Sequence, residues 1–416
     1  MKWTPQQAAA LSAVDKWFRD PKGPQVYKVF GWAGTGKTTM ARHFAEGVDG
    51  RVLAAAYTGK AAHILTTKGL PATTIHSLAY VPKTRGTSGL RELEERLLNC
   101  RLDLAKELGV DGDNPAIEAH PRYRSIQKEL RAAEDGHRRP LFDLNPDSEL
   151  KGAALLILDE CSMVGSQIGE DLDSFGCRTL VLGDPFQLPP VGDGGYYTNG
   201  EPDMMLTDIQ RQARDNPIIQ LSMTIREEQR LPAPGRYGES SVKTRSDISA
   251  TEALAAGQIL VGRNATRLAT NVRVRKLLGR AGWMPETGDR VVCLRNDREA
   301  GLLNGSLWEV QDATQQETEH LGLSIRSLDL GDRSQVVTAH PHYFQGVGKD
   351  IPYWDRKSAQ EFDYGYALTV HKAQGSQWDD VMLFDESGAF REHRWRWLYT
   401  GVTRAAEKLT MVTESK

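Results

Sequence analysis

Apolar residues fall in short unbroken runs along much of this chain, each closed by glycine, proline or an acidic residue. Residues 26–30, 51–57, 153–158 and 178–182 read as strands, most of them buried on both faces, the pattern of a parallel sheet. Helical patterns lie between them, and strands alternating with helices predict a doubly wound α/β arrangement. From Pro82 to Leu150 the period changes. Leu93, Leu97, Leu104 and Leu108 recur at helical spacing amid dense charge, residues 111–115 read as a turn, and Tyr123, Ile126, Leu130 and Ala133 form a second narrow stripe. This predicts an antiparallel helix pair, with residues 141–144 leading into a small hairpin. The α/β pattern returns over residues 203–283. Short β runs then take over (290–294, 307–310, 323–327, 335–339), split by turns such as Asn304-Gly305, and predict a small barrel. The α/β pattern resumes at Tyr364 and closes on a strand at 408–412.

Composition narrows the class. With 416 residues the chain is long enough for two or more domains, each with its own core. No apolar run approaches the roughly 20 residues that span a bilayer, and the start has no signal-peptide stretch, so the expectation is a cytoplasmic protein without membrane contact. Cys100, Cys161, Cys177 and Cys293 lack metal-binding spacing and read as reduced thiols. A net charge of −3 argues against nonspecific coating of nucleic acid. Local asymmetry remains: residues 261–280 carry Arg263, Arg267, Arg273, Arg275, Lys276 and Arg280 and no acid. That is the footprint of a phosphate track, or equally of a solvated helix face.

The chemistry sits in blocks. Gly31-Trp-Ala-Gly34-Thr35-Gly36-Lys37-Thr38 follows a strand and opens a helix, the pattern of a phosphate-binding loop. Lys37 suits the β- and γ-phosphates of ATP, and Thr38 suits Mg²⁺. Asp159 and Glu160 emerge at the carboxyl end of an apolar strand, where open sheets place ligands. Asp159 would join Thr38 at the metal, and Glu160 would orient or deprotonate the attacking water. Gln187, in a loop stiffened by Pro189 and Pro190, suits a γ-phosphate sensor. Arg211 and Arg404 each suit an arginine finger, although from spacing alone a single arginine is more often a salt-bridge partner. No Asp…Glu-x-Lys cluster of a nuclease occurs outside these blocks.

Taken together the blocks resemble superfamily 1 DNA helicases of the RecD-like branch that includes the phage Dda helicases. The resemblance rests on Thr4-Pro-Gln-Gln7, Ala56 to Ala62, Thr74-Ile-His76-Ser77, Gly183 to Val191, Leu206 to Gln212, Thr369 to Gln377 and Tyr399 to Ala405, and covers nearly the whole chain. It implies two RecA-like domains clasping ATP, the first from residues 1–81 and 151–202, the second from 203–284 and 360–416. It further implies a helical arm at 82–150 and an SH3-like β insertion at 285–359. The arm's helices are longer than a minimal wedge needs.

Gln7 would recognise adenine, with Thr39 and Gly375 completing the nucleotide contacts, and Arg211 and Arg404 would approach the γ-phosphate. Thr58, Gly59, Lys60, His76, Ser77, Asn264, Arg267, Thr369, His371 and Lys372 would lie along single-stranded DNA. The expected activity is ATP-driven 5′-to-3′ translocation and unwinding of fork DNA in a bacterial or phage-infected cell, alongside single-strand-binding, replication or recombination proteins. The alternatives are a translocase that strips bound proteins and an ATPase subunit of a recombination or repair complex.

Overall fold

The computed structural model describes residues 3–82, 88–111, 114–138, 142–190, 192, 195–208, 216–297, 299–315, 320–348, 351 and 358–414. Contacts divide the chain into two compact units. One comprises Met1–Ala79, Pro146–Gly348 and Ala359–Lys416, the other Tyr80–Asn145 with Lys349–Ser358.

The larger unit is built on three sheets. The first has six strands, ordered Thr73–Thr74, Val52–Ala56, Leu155–Asp159, Thr179–Gly183, Val26–Gly31, Met204–Leu206, all parallel. Leu155–Asp159 and Thr179–Gly183 are buried at every position, as their unbroken apolar runs require. The helix Pro5–Arg19 packs Ala10, Val14 and Trp17 into the same core as Val29, Leu180 and Leu182. Its start follows from sequence: Thr4 caps it, Pro5 supplies a preset φ, and Gln7 closes a capping box.

The second sheet is ordered Ala367–Thr369, Gln258–Val261, Trp378–Phe384, Ala405–Thr413, Ser240–Thr244, Gly235–Tyr237, parallel except at the last pair. The helices Pro217–Glu227 and Arg394–Val402 share its core through Leu221, Ile225, Trp397 and Leu398. The third sheet is antiparallel, ordered Ser334–Ala339, Leu321–Ser327, Leu307–Gln315, Arg290–Cys293, Phe362–Tyr364, around a core that includes Trp308 and Ile325.

In the smaller unit Ser88–Leu108 packs on Pro121–Arg138 through Cys100, Leu104, Ile117 and Tyr123. Leu108, expected on the buried stripe, is exposed. Between these helices a short one, Pro115–Ala119, is capped by Asn114. Phe142–Leu144 pairs antiparallel with Tyr80–Pro82. Residues 146–150, assigned to the arm by sequence, belong to the larger unit instead: Leu150 is buried and Ser148 Oγ donates to Leu78 O at 2.7 Å. Among the described residues no helix is long and apolar enough to cross a membrane.

Candidate functional site

The phosphate loop leaves the strand Val26–Gly31 and enters the helix Lys37–Glu46 with Gly36 at φ 81°, a left-handed turn that a Cβ would strain. Gly31 has no room for a side chain: a Cβ there would meet Leu206 Cβ at 2.8 Å. Lys37 folds back on its own loop, donating to Gly31 O at 2.5 Å and Trp32 O at 3.0 Å. Those carbonyls hold the ammonium where a phosphate would otherwise take its charge. Thr39 follows in the first turn of the same helix.

Thr38 Oγ1 donates to Asp159 Oδ2 at 3.0 Å, and Asp159 Oδ1 accepts from Glu160 N–H at 2.8 Å. Thr38, Asp159, Glu160 and Gly375 line one small cavity of about 70 Å³. A hydroxyl and a carboxylate side by side are hard oxygen donors, and they fit Mg²⁺ held jointly with phosphate oxygens and waters. Gly375, at φ 71°, lies close enough that a Cβ would meet Thr58 Oγ1 at 3.1 Å.

Glu160 sits in the left-handed region at φ 54°, unusual for a residue with a side chain. Burial pushes its carboxyl above the ordinary range; Arg404 and Lys37 pull it back, while Asp159 and Asp184 push it further. Burial raises Asp184 too, opposed by Lys37 and by bonds from the Tyr399 hydroxyl and Phe186 N–H. Gln187 is buried, and its Oε1 finds no hydrogen-bond partner in the described structure. An unpaired buried carbonyl is costly unless something is meant to meet it.

Arg404 is buried. Its Nε donates to Thr400 O, its Nη1 to Ser376 O and its Nη2 to Thr403 Oγ1, at 3.0, 3.1 and 3.2 Å. No carboxylate of the described residues lies within ion-pair distance of it, so the salt-bridge alternative for this arginine has no support. Arg211 lies outside the described residues. Gln7 spends both amide atoms locally, accepting from Thr4 N–H and donating to Thr35 O at 2.9 Å, so it braces the phosphate loop from the first helix.

Two contacts to this cluster escaped the sequence reading. Arg226 lies 3.9 Å over the ring of Trp32, inside the phosphate loop. The Tyr399 hydroxyl joins Ala33 N–H to Asp184 Oδ2. Within the block Tyr399 to Ala405 the sequence assigns chemistry to Arg404 alone.

The residues expected along DNA divide. Asn264, Thr369 and His371 line one open groove of about 1020 Å³, with Pro189, Pro190 and Phe390. Burial lowers the pKa of His371, and His393 lowers it further. Lys372 stands at the same turn, its Nζ donating to Asn304 Oδ1 at 2.7 Å, and burial lowers its pKa. His76 packs edge-on to Tyr57 and is likewise lowered by burial. The Ser77 and Thr74 hydroxyls bond each other, while Thr58 Oγ1 caps the next helix by accepting from Ala61 N–H.

Lys60 and Arg267 are engaged within the fold. Lys60 is buried, pairs with Asp329 at 2.7 Å and lies over Trp378; adjacent Gly59 packs on Leu303. Arg267 pairs with buried Asp363 at 2.7 Å. The basic run at 261–280 is mostly internal wiring: Arg263 binds Glu386, and Arg275 and Arg280 both bind fully buried Asp289. These charges are spent on carboxylates outside the run, which charge counting within it does not see.

A family model described as an AAA domain matches residues 3–242, more than half of the chain, and one described as a UvrD-like helicase C-terminal domain matches residues 364–412. The chain is 29% identical to the ATP-dependent RecD2 DNA helicase of Deinococcus radiodurans over 342 residues, 74% of this chain and 43% of that one. It therefore spans less than half the length of the curated relatives it matches. Its fold is similar to the Bacteroides Pif1 helicase in complex with ADP-AlF3 and single-stranded DNA, with TM-score 0.54 at 17% identity, covering 99% of this chain and 92% of that chain. It is similar also to Pif1 helicases at forked duplex DNA, with TM-score 0.53 at 16% identity, covering 99% and 92%.

Proposed function

Because the chain belongs to the AAA-domain family, we propose that it is an ATP-dependent DNA helicase of the RecD/Pif1-like superfamily 1 branch, moving 5′-to-3′ on single-stranded DNA. One observation carries this reading: residues from both ends of the chain meet at the phosphate loop, where Tyr399 accepts from Ala33 N–H. A triphosphate held there is touched by both parallel sheets, taken here as two RecA-like lobes. The antiparallel sheet is then the SH3-like insertion and the helix pair the arm.

In this mechanism Lys37 leaves its loop carbonyls for the β- and γ-phosphates of the substrate ATP. Thr38 and Asp159 would hold Mg²⁺, which would supply charge neutralisation at the phosphates. Glu160 orients the attacking water and takes its proton; the buried setting that raises its pKa makes it a better base than a solvated glutamate. Arg404, preset by bonds to Thr400 and Thr403 of its own turn and to Ser376 O, meets the charge that develops on the γ-phosphate, a role worth about 10³ to 10⁵ in rate elsewhere. Arg211 joins it from the Leu206 to Gln212 block. Gln187, whose Oε1 lacks a partner, registers the terminal phosphate or its water.

Loss of that phosphate removes the attraction between lobes, and alternate gripping of the strand converts it to motion. Opening one base pair costs on the order of 1.4 kcal/mol, well below what one ATP supplies in a cell, so fork geometry rather than energy limits unwinding.

The test is unwinding of fork substrates carrying a 5′ or a 3′ tail, each in DNA and RNA, beside ATPase with and without single strands. The expected result is unwinding from the 5′ DNA tail and ATPase stimulated several-fold. Unwinding only from a 3′ tail overturns the polarity. ATPase indifferent to single strands overturns the motor reading.

A further inference from the structure

We infer that the segment joining the strand Trp378–Phe384 to the helix Arg394–Val402, together with the first turn of that helix, forms a nucleotide subsite in the groove, with Phe390 as a stacking surface for an unpaired base and Arg396 as a phosphate contact. This rests on the single-strand reading above and assigns two residues that no motif names.

The aromatic pair is built, not incidental. Phe390 lies 5.3 Å from His371, and on its inner side it stacks on fully buried Trp397 at 5.2 Å and 9°. Gly262 leaves room for it: a Cβ there would meet Phe390 Cε2 at 2.9 Å. The ring is therefore fixed before any ligand arrives, which lowers the entropy of stacking on it. Arg391, next in the chain, holds φ 44° and ψ −114°, a costly conformation for a residue with a side chain. That turn carries the chain from Phe390 back toward the helix.

The charge pattern fits a strand running past the ring. Arg396 and His393 line the same groove, and Arg396 has no carboxylate within ion-pair distance among the described residues. The groove's one lining acid, Glu392, is turned to His393 at 3.8 Å. Across from them stand Pro189 and Pro190, which carry no N–H to compete for phosphate. A groove with a braced aromatic and an uncommitted arginine suits single-stranded nucleic acid bound without base preference.

The experiment is fluorescence anisotropy of the whole protein with labelled dT12, scanned with one abasic site at each position and titrated with salt. Phe390→Ala should weaken binding about 5- to 150-fold, and Phe390→Leu, which keeps the apolar volume on Trp397, should weaken it in the same direction. In the wild-type protein one abasic position should cost affinity, and that position should become silent in both variants. Arg396→Gln should lower the magnitude of the salt slope by about 0.7. The abasic scan leaves the protein untouched, so a folding defect cannot produce it. A scan without a sensitive position that the variants silence, or a salt slope unchanged in Arg396→Gln, overturns the subsite. Failure of the wild-type protein to bind dT12 at all overturns the parent reading and this one with it, a result distinct from wild-type binding that the variants share.

Discussion

The Tyr399 hydroxyl lies 2.5 Å from Asp184 Oδ2 and at the same time accepts from Ala33 N–H at 3.3 Å. One phenol from the last helix thus ties the phosphate loop to the loop that carries Gln187. Its ring is held separately, edge-on to Phe186 at 5.3 Å, so Tyr399→Phe should fold and keep its packing. The variant leaves buried Asp184 one donor short. A hydrogen bond to a charged group contributes about 1.5–3 kcal/mol, so if the tie matters only once the lobes close, kcat should drop about 10- to 150-fold with the KM for ATP nearly constant. Steady-state ATPase on saturating single strands reads this, and a change below twofold would separate Tyr399 from the motor.

Lys37→Ala should remove ATPase while single-strand binding stays measurable, because the DNA groove shares no residue with the phosphate loop. Arg404→Ala should lower kcat by about 10³ or more with little change in nucleotide affinity. Its guanidinium is already anchored by Thr400, Thr403 and Ser376, so the lost energy belongs to the transition state rather than to ground-state binding. Stopped-flow nucleotide binding beside turnover separates the two; weakened binding with intact kcat would remove the finger role.

The pH dependence has a definite sign. A base must be ionised to act, and burial raises the pKa of Glu160, so ATPase should fall with decreasing pH at values above those where an ordinary glutamate, near about 4.3, would titrate. Arg404 is the largest charge pulling that pKa down. The residual activity of Arg404→Ala should therefore show its acid limb displaced to higher pH. A limb that stays put in that variant would mean that another group sets the profile.

What could be read from sequence followed what is local. Leu155–Asp159 and Thr179–Gly183 announce themselves because a strand buried on both faces must be apolar throughout. The Thr4 capping box and the glycines of the phosphate loop are likewise local geometry. Partnership across the chain was not legible. Nothing near Lys60 indicates Asp329, and nothing near Arg267 indicates Asp363. Arg226 reads as an ordinary helix residue, and only the fold brings it over Trp32. Phe390 was equally silent, because a lone aromatic in a connecting segment carries no period from which to infer a face.

Arg275 offers the sharpest test of the internal pairing in the basic run. Its Nε reaches both oxygens of Asp289, its Nη1 donates to Gly282 O, its Nη2 to Met284 O, and its guanidinium lies 4.4 Å over Tyr364. Asp289 is fully buried and accepts also from Arg280 Nη1, the Tyr366 hydroxyl and Glu286 N–H. Removing one partner of such a network strands a buried charge, so Arg275→Ala should destabilise the protein by about 3–5 kcal/mol. Lys276→Ala, next door and exposed, should shift stability by less than about 0.5 kcal/mol. Urea melts read both. If the run at 261–280 were a phosphate track, Arg275→Ala would instead keep its melt and lose salt-sensitive DNA affinity; the buried network demands the reverse, a lowered melt and, at temperatures where the variant stays folded, an unchanged salt slope.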